Sequence, residues 1–229
     1  MQRLAKLKRF AYTDGTVFYL ARSEAELEDK TRLCLGPYVW RMANGKDGLW
    51  DANVGPSLYA KAQGKPVKIW GFFADGRLEY WVLPEDGRGH TTHMNGARYN
   101  QLVGTRFAQW RRACFGDDNS VHLVQDHEKC LWQERNQKAL RRAGCLLVEN
   151  FPKGSPDLNV IETWWNRLRQ KLEANAPVVF EGRSQFLARL RRTVRWLNQN
   201  CREEALKCCN SQKARAKNVL ELKGARTHW

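Results

Sequence analysis

Three acids, Asp14, Asp126 and Glu162, stand where a chain can hold a carboxylate rigidly. The apolar run Val121 to Gln125 leads as a strand into Asp126, and the stretch from there to Glu162 has room for a helix, a strand and a loop before a second helix. Asp14 follows another apolar stretch, Leu7 to Tyr12. Phosphodiester cleavage at neutral pH needs an activated water and stabilisation of charge on the leaving oxygen, and two Mg²⁺ ions about 3.5 to 4 Å apart supply both. Mg²⁺ prefers hard oxygen ligands and keeps several waters, so a few carboxylates on rigid elements are enough. On this reading Asp14 bridges both ions, Asp126 holds one and Glu162 the other. Each acid alone also has a structural reading: Asp14 as a turn residue before Gly15, Asp126 as a helix cap before His127-Glu128, Glu162 as a surface acid.

The elements that must position these acids follow from the pattern. Leu7 to Tyr12 and Val17 to Leu20 read as two strands of a hairpin turning at Gly15-Thr16. Ser23 to Lys30 allows a helical turn, and Leu35 to Gly64, rich in Gly, Asn and Pro, reads as a long irregular excursion of the kind that carries function. Val67 to Ala74, Asp75-Gly76 and Arg77 to Leu83 give the best hairpin, because Asp-Gly supplies the positive backbone angles of a tight turn. Apolar residues at Tyr99, Leu102, Val103, Phe107 and Trp110 predict a helix over Asn95 to Cys114, with Arg106, Arg111 and Arg112 on its polar side. A helix from Glu128 to Ala143, stopped by Gly144, and a short strand Cys145 to Val148 follow the Asp126 strand; strand, helix, strand means parallel neighbours. Asp157 is placed to cap the next helix, whose buried stripe is Leu158, Ile161, Trp165, Leu168 and Leu172, with Asn159, Glu162, Asn166 and Arg169 on the adjacent face. After Pro177 comes a helix over Arg183 to Asn198 that turns Phe186, Leu190, Val194 and Leu197 inward and Arg189, Arg191, Arg192 and Arg195 outward. Arg202 to Lys217 reads as helical and basic.

Composition bounds what this assembly can do. With 229 residues, 42% of them hydrophobic and 10 of them Trp, the chain has the means for one substantial core. Thirty-nine basic against 24 acidic residues give a formal charge of +15, and such a charge favours a polyanion, nucleic acid first, because neutralised phosphates release their counterions. No stretch has the length of a membrane span and no signal-peptide core follows the basic start, so no membrane partner is expected; the expected location is the nucleus in a eukaryote and the cytoplasm otherwise. The 7 Cys include no C-x-x-C pair, which fits a reducing compartment. Cys201, Cys208, Cys209 and His228 match no recognised zinc spacing.

The run Ser155-Pro156-Asp157-Leu158-Asn159-x-Ile161-Glu162-x-x-Trp165, with Leu123-Val124-Gln125-Asp126 and Tyr12-Thr13-Asp14 before it, resembles the catalytic domain of mariner-superfamily DDE transposases. The Asp75-Gly76 hairpin and a Trp70-Gly71 turn within a central strand are similar to that family as well. The resemblance spans roughly residues 7 to 175. It implies an α/β fold, a ribonuclease-H-like mixed sheet flanked by helices, over residues 1–176, with 177–229 as a basic helical C-terminal extension packed on it. It implies Asp14, Asp126 and Glu162 as the catalytic and metal-binding residues, Mg²⁺ or Mn²⁺ as cofactor in two ions, and DNA cleavage and strand transfer on transposon ends and target, with a homodimer allowed. His127 replaces the Asn usual after the second acid, and Val160 the Pro usual before Ile-Glu. Little chain precedes Asp14, so the helix-turn-helix modules that normally read the transposon ends are expected to be missing. A catalytically inactive, transposase-derived DNA-binding protein and a nuclease of the same fold with another nucleic-acid substrate are the alternatives.

Basic residues for DNA are expected in two places. The excursion offers Lys61 and Lys65. The helices around Glu162 offer Arg167, Arg169 and Lys171, then Arg191, Arg192 and Arg195, placed for phosphate contacts that position DNA without reading its sequence.

Overall fold

The computed structural model describes residues 9–20, 65–149, 151–152, 155, 157–175, 177 and 179–222. The possible turn at Ser23 to Lys30, the excursion up to Gly64 and Lys61 within it lie outside the described residues, as does His228. Five strands, β1 (Phe10–Leu20), β2 (Lys65–Ala74), β3 (Arg77–Val82), β4 (Val121–Val124) and β5 (Cys145–Leu147), form one sheet in the order β3-β2-β1-β4-β5. The first three strands are antiparallel, and β4 and β5 run parallel to β1. Helices cover both faces, which is the mixed ribonuclease-H-like arrangement expected from the sequence.

The Asp75-Gly76 hairpin is present: both turn residues have positive φ, 48° and 68°, as a two-residue hairpin turn requires. The other expected hairpin is absent. β1 runs unbroken through Asp14-Gly15, paired to β2 from Tyr12↔Phe73 to Leu20↔Lys65. Gly15 is there for space: a Cβ would stand 3.0 Å from Cε3 of Trp70, its partner across the strands. Trp70-Gly71 likewise makes no turn but lies inside β2, and Gly71 pairs directly with Asp14.

One face carries α1 (Gly96–Leu102), a π-helical turn (Val103–Phe107), α2 (Ala108–Phe115) and α3 (Glu134–Arg142). The buried residues Tyr99, Val103 and Phe107 recur every four positions, a spacing that drifts around an α-helix, and the wider π turn keeps them facing the sheet. Arg111, expected on the polar side, is 4% exposed and donates to the Asp118 carbonyl. The helix expected from Glu128 begins only at Glu134. Residues before it are held in turns by Trp132 Nε1 donating to the Asp126 carbonyl and Asn136 Nδ2 to that of Cys130, so Asp126 caps no helix.

The opposite face carries α4 (Val160–Ala174), α5 (Arg183–Asn200), α6 (Arg202–Asn210) and α7 (Gln212–Glu221). The expected stripe of α4 is buried throughout, joined by Trp164, which stacks on Phe73 at 5.1 Å. Burial of each aliphatic member contributes about 1.5 to 3 kcal/mol. The cap position of α4 falls at Asn159 rather than Asp157. The inward set of α5, Phe186, Leu190, Val194 and Leu197, is buried in the same core as α4 and the sheet, so the helices after Pro177 share that core. Arg189 is the exception on its outer face: it turns inward to pair with Glu181 and donates to the Leu172 carbonyl at 2.9 Å. Among the described residues no helix is long and apolar enough to cross a membrane.

Candidate active site

Strand alternation puts Asp14 on the α4 side of the sheet. Tyr12 and Phe18, an even number of residues away on β1, belong to the core that α4 closes. Across the ladder its partner is Gly71, and a Cβ on Gly71 would overlap Cη2 and Cζ2 of Trp165. The missing side chain is therefore the slot that receives the Trp165 ring. Glu162 lies three residues earlier on the same helix face, so seating Trp165 over Gly71 brings Glu162 over Asp14.

The two carboxyls share a hydrogen bond. Burial first, then that hydrogen bond and the charge of Glu162, and less strongly the charge of Asp126, push the Asp14 carboxyl up to about 9. The backbone N–H of Gly15, 2.7 Å from Oδ1, pulls it the other way without prevailing. Among the described residues no basic side chain is among the groups acting on Asp14.

Asp126 lies just beyond β4, whose pairing with β1 ends at Tyr12↔Val124. It is exposed, and its Oδ1 accepts from the His127 N–H at 2.6 Å. His127 stacks on Trp132 at 4.4 Å, and its Nε2 meets the Phe151 carbonyl. With Trp132 Nε1 on the Asp126 carbonyl, these contacts fix the turn that presents Asp126. Among the described residues no three His, Cys, Asp or Glu side chains stand close enough to share one ion in this arrangement: Asp14 and Glu162 share a hydrogen bond, and Asp126 acts on Asp14 through its charge. The donor set nonetheless suits Mg²⁺ or Mn²⁺. It consists of hard carboxylate oxygens that no described basic side chain compensates, beside Asn159, 3% exposed, whose Oδ1 has no partner among the described residues.

Arg215 of α7 holds the approach to α4. It is 2% exposed and donates to the Asp157 carbonyl, to Thr163 Oγ1 at 2.9 Å and to Ser211 Oγ at 2.9 Å. Nothing in the local sequence distinguishes it from other basic residues of the tail.

The basic residues expected to meet DNA divide into two groups. Arg167 pairs with Glu204 at 3.1 Å, Lys65 with Glu85 at 3.2 Å, and Lys171 lies 3.7 Å from the Trp196 ring centroid. Arg169 ties α4 to β1 by donating to Thr16 and lies over Phe18. Arg191, Arg192 and Arg195 are exposed on α5, and Arg191 reaches Tyr80.

No family model and no curated protein matches the sequence. Solved structures do. A Mos1 transposase paired-end complex with the left transposon end matches at 15% identity and a TM-score of 0.64 over 98% of this chain and 58% of that one. The Mos1 transposase catalytic domain with Raltegravir and Mn matches at 13% identity and 0.63 over 99% of this chain and 88% of that one. The Mos1 strand transfer complex matches at 14% identity and 0.61, again over 58% of its chain. The chain thus spans somewhat under three fifths of the Mos1 chains in those DNA complexes. It has the fold of the mariner-type transposase catalytic domain.

Proposed function

We propose that this chain, built on the catalytic fold of the Mos1 mariner transposase, is a metal-dependent DNA endonuclease and strand transferase of the transposase type, acting on transposon ends and target DNA. The observation that carries the reading is the seating of Glu162 over Asp14 by Trp165 and Gly71, with Asp126 at the end of the neighbouring strand. Asp14, Asp126 and Glu162 would hold Mg²⁺ or Mn²⁺, in two ions. Bound there, the ions would activate the attacking oxygen and neutralise charge on the leaving one.

The chain's own part is positional. β1 and the turn after β4 hold two carboxylates from below, and α4 holds the third from above. In cleavage a water oxygen bonds to phosphorus as the bond to the 3′ oxygen breaks and that oxygen gains a proton. In strand transfer the freed 3′-hydroxyl oxygen attacks a target phosphodiester in the same way, displacing its 3′ oxygen. No protein nucleophile is required. The helices from Arg183 to Glu221 add a basic extension whose exposed Arg191, Arg192 and Arg195 suit phosphate contacts.

One observation favours a second reading, a DNA-binding protein without turnover: Asp126 does not close on the other two acids. Substrate and products separate the readings. With Mg²⁺ or Mn²⁺, duplex DNA should be cut to 3′-hydroxyl and 5′-phosphate ends with no protein–DNA adduct. Preferential cutting of an RNA–DNA hybrid would make the chain a nuclease of the same fold, and binding without cutting would favour the inactive form.

A further inference from the structure

We propose that the cleft on the α1 side of β1, beside Asp14, is a subsite for a DNA-strand phosphate neighbouring the one that is cut, gripped by Lys68 and His93. This rests on the reading of the chain as a DNA-cleaving enzyme. The cleft has a volume of about 240 Å³, and its lining runs from Asp14, Gly15 and Val17 to Lys68 and Trp70, closed by Leu83, Met94 and His93. Glu128 lines it as well.

Lys68 is a half-buried cation with no carboxylate in ion-pair range among the described residues. Burial alone lowers its pKa, with no acid acting against that effect. Its Nζ instead lies 2.8 Å from Nε2 of His93 and 3.3 Å from Nδ1, an imidazole partner in place of a carboxylate. An ammonium partly withdrawn from water without a counter-charge is favoured by an anion that both Lys68 and His93 can donate to. Glu128, exposed in the same lining, disfavours an anion placed against it. Trp70, Leu83 and Met94 offer an apolar surface to the sugar or base attached to the phosphate. Asp14 also lines the cleft, with its carboxyl on the α4 face, and because β4 leaves β1 after Tyr12↔Val124 a strand held here by one phosphate can cross that edge of β1 toward the carboxylates.

The test is a titration of the ¹⁵N-labelled chain in EDTA, at fixed ionic strength, following the His93 ring by NMR, with thymidine 3′,5′-bisphosphate and inorganic phosphate as probes. The bisphosphate should move the His93 signals with a Kd at least about ten-fold below that of inorganic phosphate. Lys68→Met should weaken it about ten-fold or more, and Lys68→Arg should restore it. An unmoved His93, or unchanged affinity in Lys68→Met, overturns the proposal. Equal affinity for the two probes also overturns it, assigning the cleft to free phosphate. Because no metal is present, the result does not depend on cleavage. Binding in a chain that never cuts DNA would leave the subsite standing and sink the catalytic reading; cutting with His93 unmoved would do the reverse.

Discussion

Asp14→Asn is expected to stabilise the metal-free protein above neutral pH while abolishing cleavage. The Asp14 carboxyl rises from its ordinary 3.8 to about 9 in the fold, so between those values the folded chain holds a proton that the unfolded chain releases. Stability contributed by this group is fully present below 3.8, falls as pH rises through the window and is lost above about 9. An amide escapes that loss, and at about pH 8 the variant should gain on the order of 1 to 3 kcal/mol. That corresponds to roughly 2 to 4 °C in Tm for each kcal/mol. Mn²⁺ should raise the Tm of the wild type and have much less effect on the variant, while cleavage falls on the order of a thousand-fold. Thermal melts across pH, with EDTA or Mn²⁺, check this. A metal-free Asp14→Asn protein less stable than the wild type at pH 8 would contradict the crowded-carboxylate account.

Gly71→Val is expected to damage the fold and the site together. The added Cβ falls on Cη2 and Cζ2 of Trp165, whose side chain is fully buried and has nowhere to retreat. Overpacking of this kind costs about 1 to 3 kcal/mol. The helix can escape the clash only by lifting, and lifting it carries Glu162 off Asp14, so cleavage should fall even at temperatures where the variant stays folded. Gly71→Ala should act in the same direction. Gly87→Ala is the control: nothing lies within 4 Å of a Cβ there, and its stability should change by no more than about 0.5 kcal/mol. Denaturant unfolding of the three variants compares them directly. An undamaged Gly71→Val would show that Trp165 does not set the height of α4.

What the sequence made legible was what local rules govern. The Asp75-Gly76 hairpin, the buried stripe of α4 and the inward set of α5 depend on residues near one another in the chain, and each stands where its pattern puts it. Asp14-Gly15 has the same turn chemistry as Asp75-Gly76 and makes no turn. It is paired on one side to β2, close to where β4 pairs on the other, and that environment holds the chain extended. Cross-strand partners decided the outcome, and a single sequence does not display them. The start of α3 was misplaced for a related reason: Trp132 and Asn136 tie the preceding residues into turns through contacts that periodicity does not register.

The candidate site divides in the same way. Its three acids could be named from residue type and spacing, but the device that joins two of them, a ring seated over a glycine opposite Asp14, required the register of β1 on β2. Of the basic residues expected to face DNA, Arg169 proves to be bound to β1, and Arg189, expected to face outward, is bound to Glu181, because charge alone does not say which cation the fold engages. Lys68, His93 and Arg215 gave no signal at all. Their partners are distant in the chain, and only the packed structure brings them together.

The most direct test of the metal-dependent cleavage proposed here is nicking of supercoiled plasmid by the purified chain with Mg²⁺ or Mn²⁺, beside Asp126→Ala and Glu162→Ala. Nicking by the wild type that disappears in both variants and in EDTA is the predicted result. A wild type that binds the plasmid and never nicks it, or variants that nick as well as the wild type, would contradict the assignment.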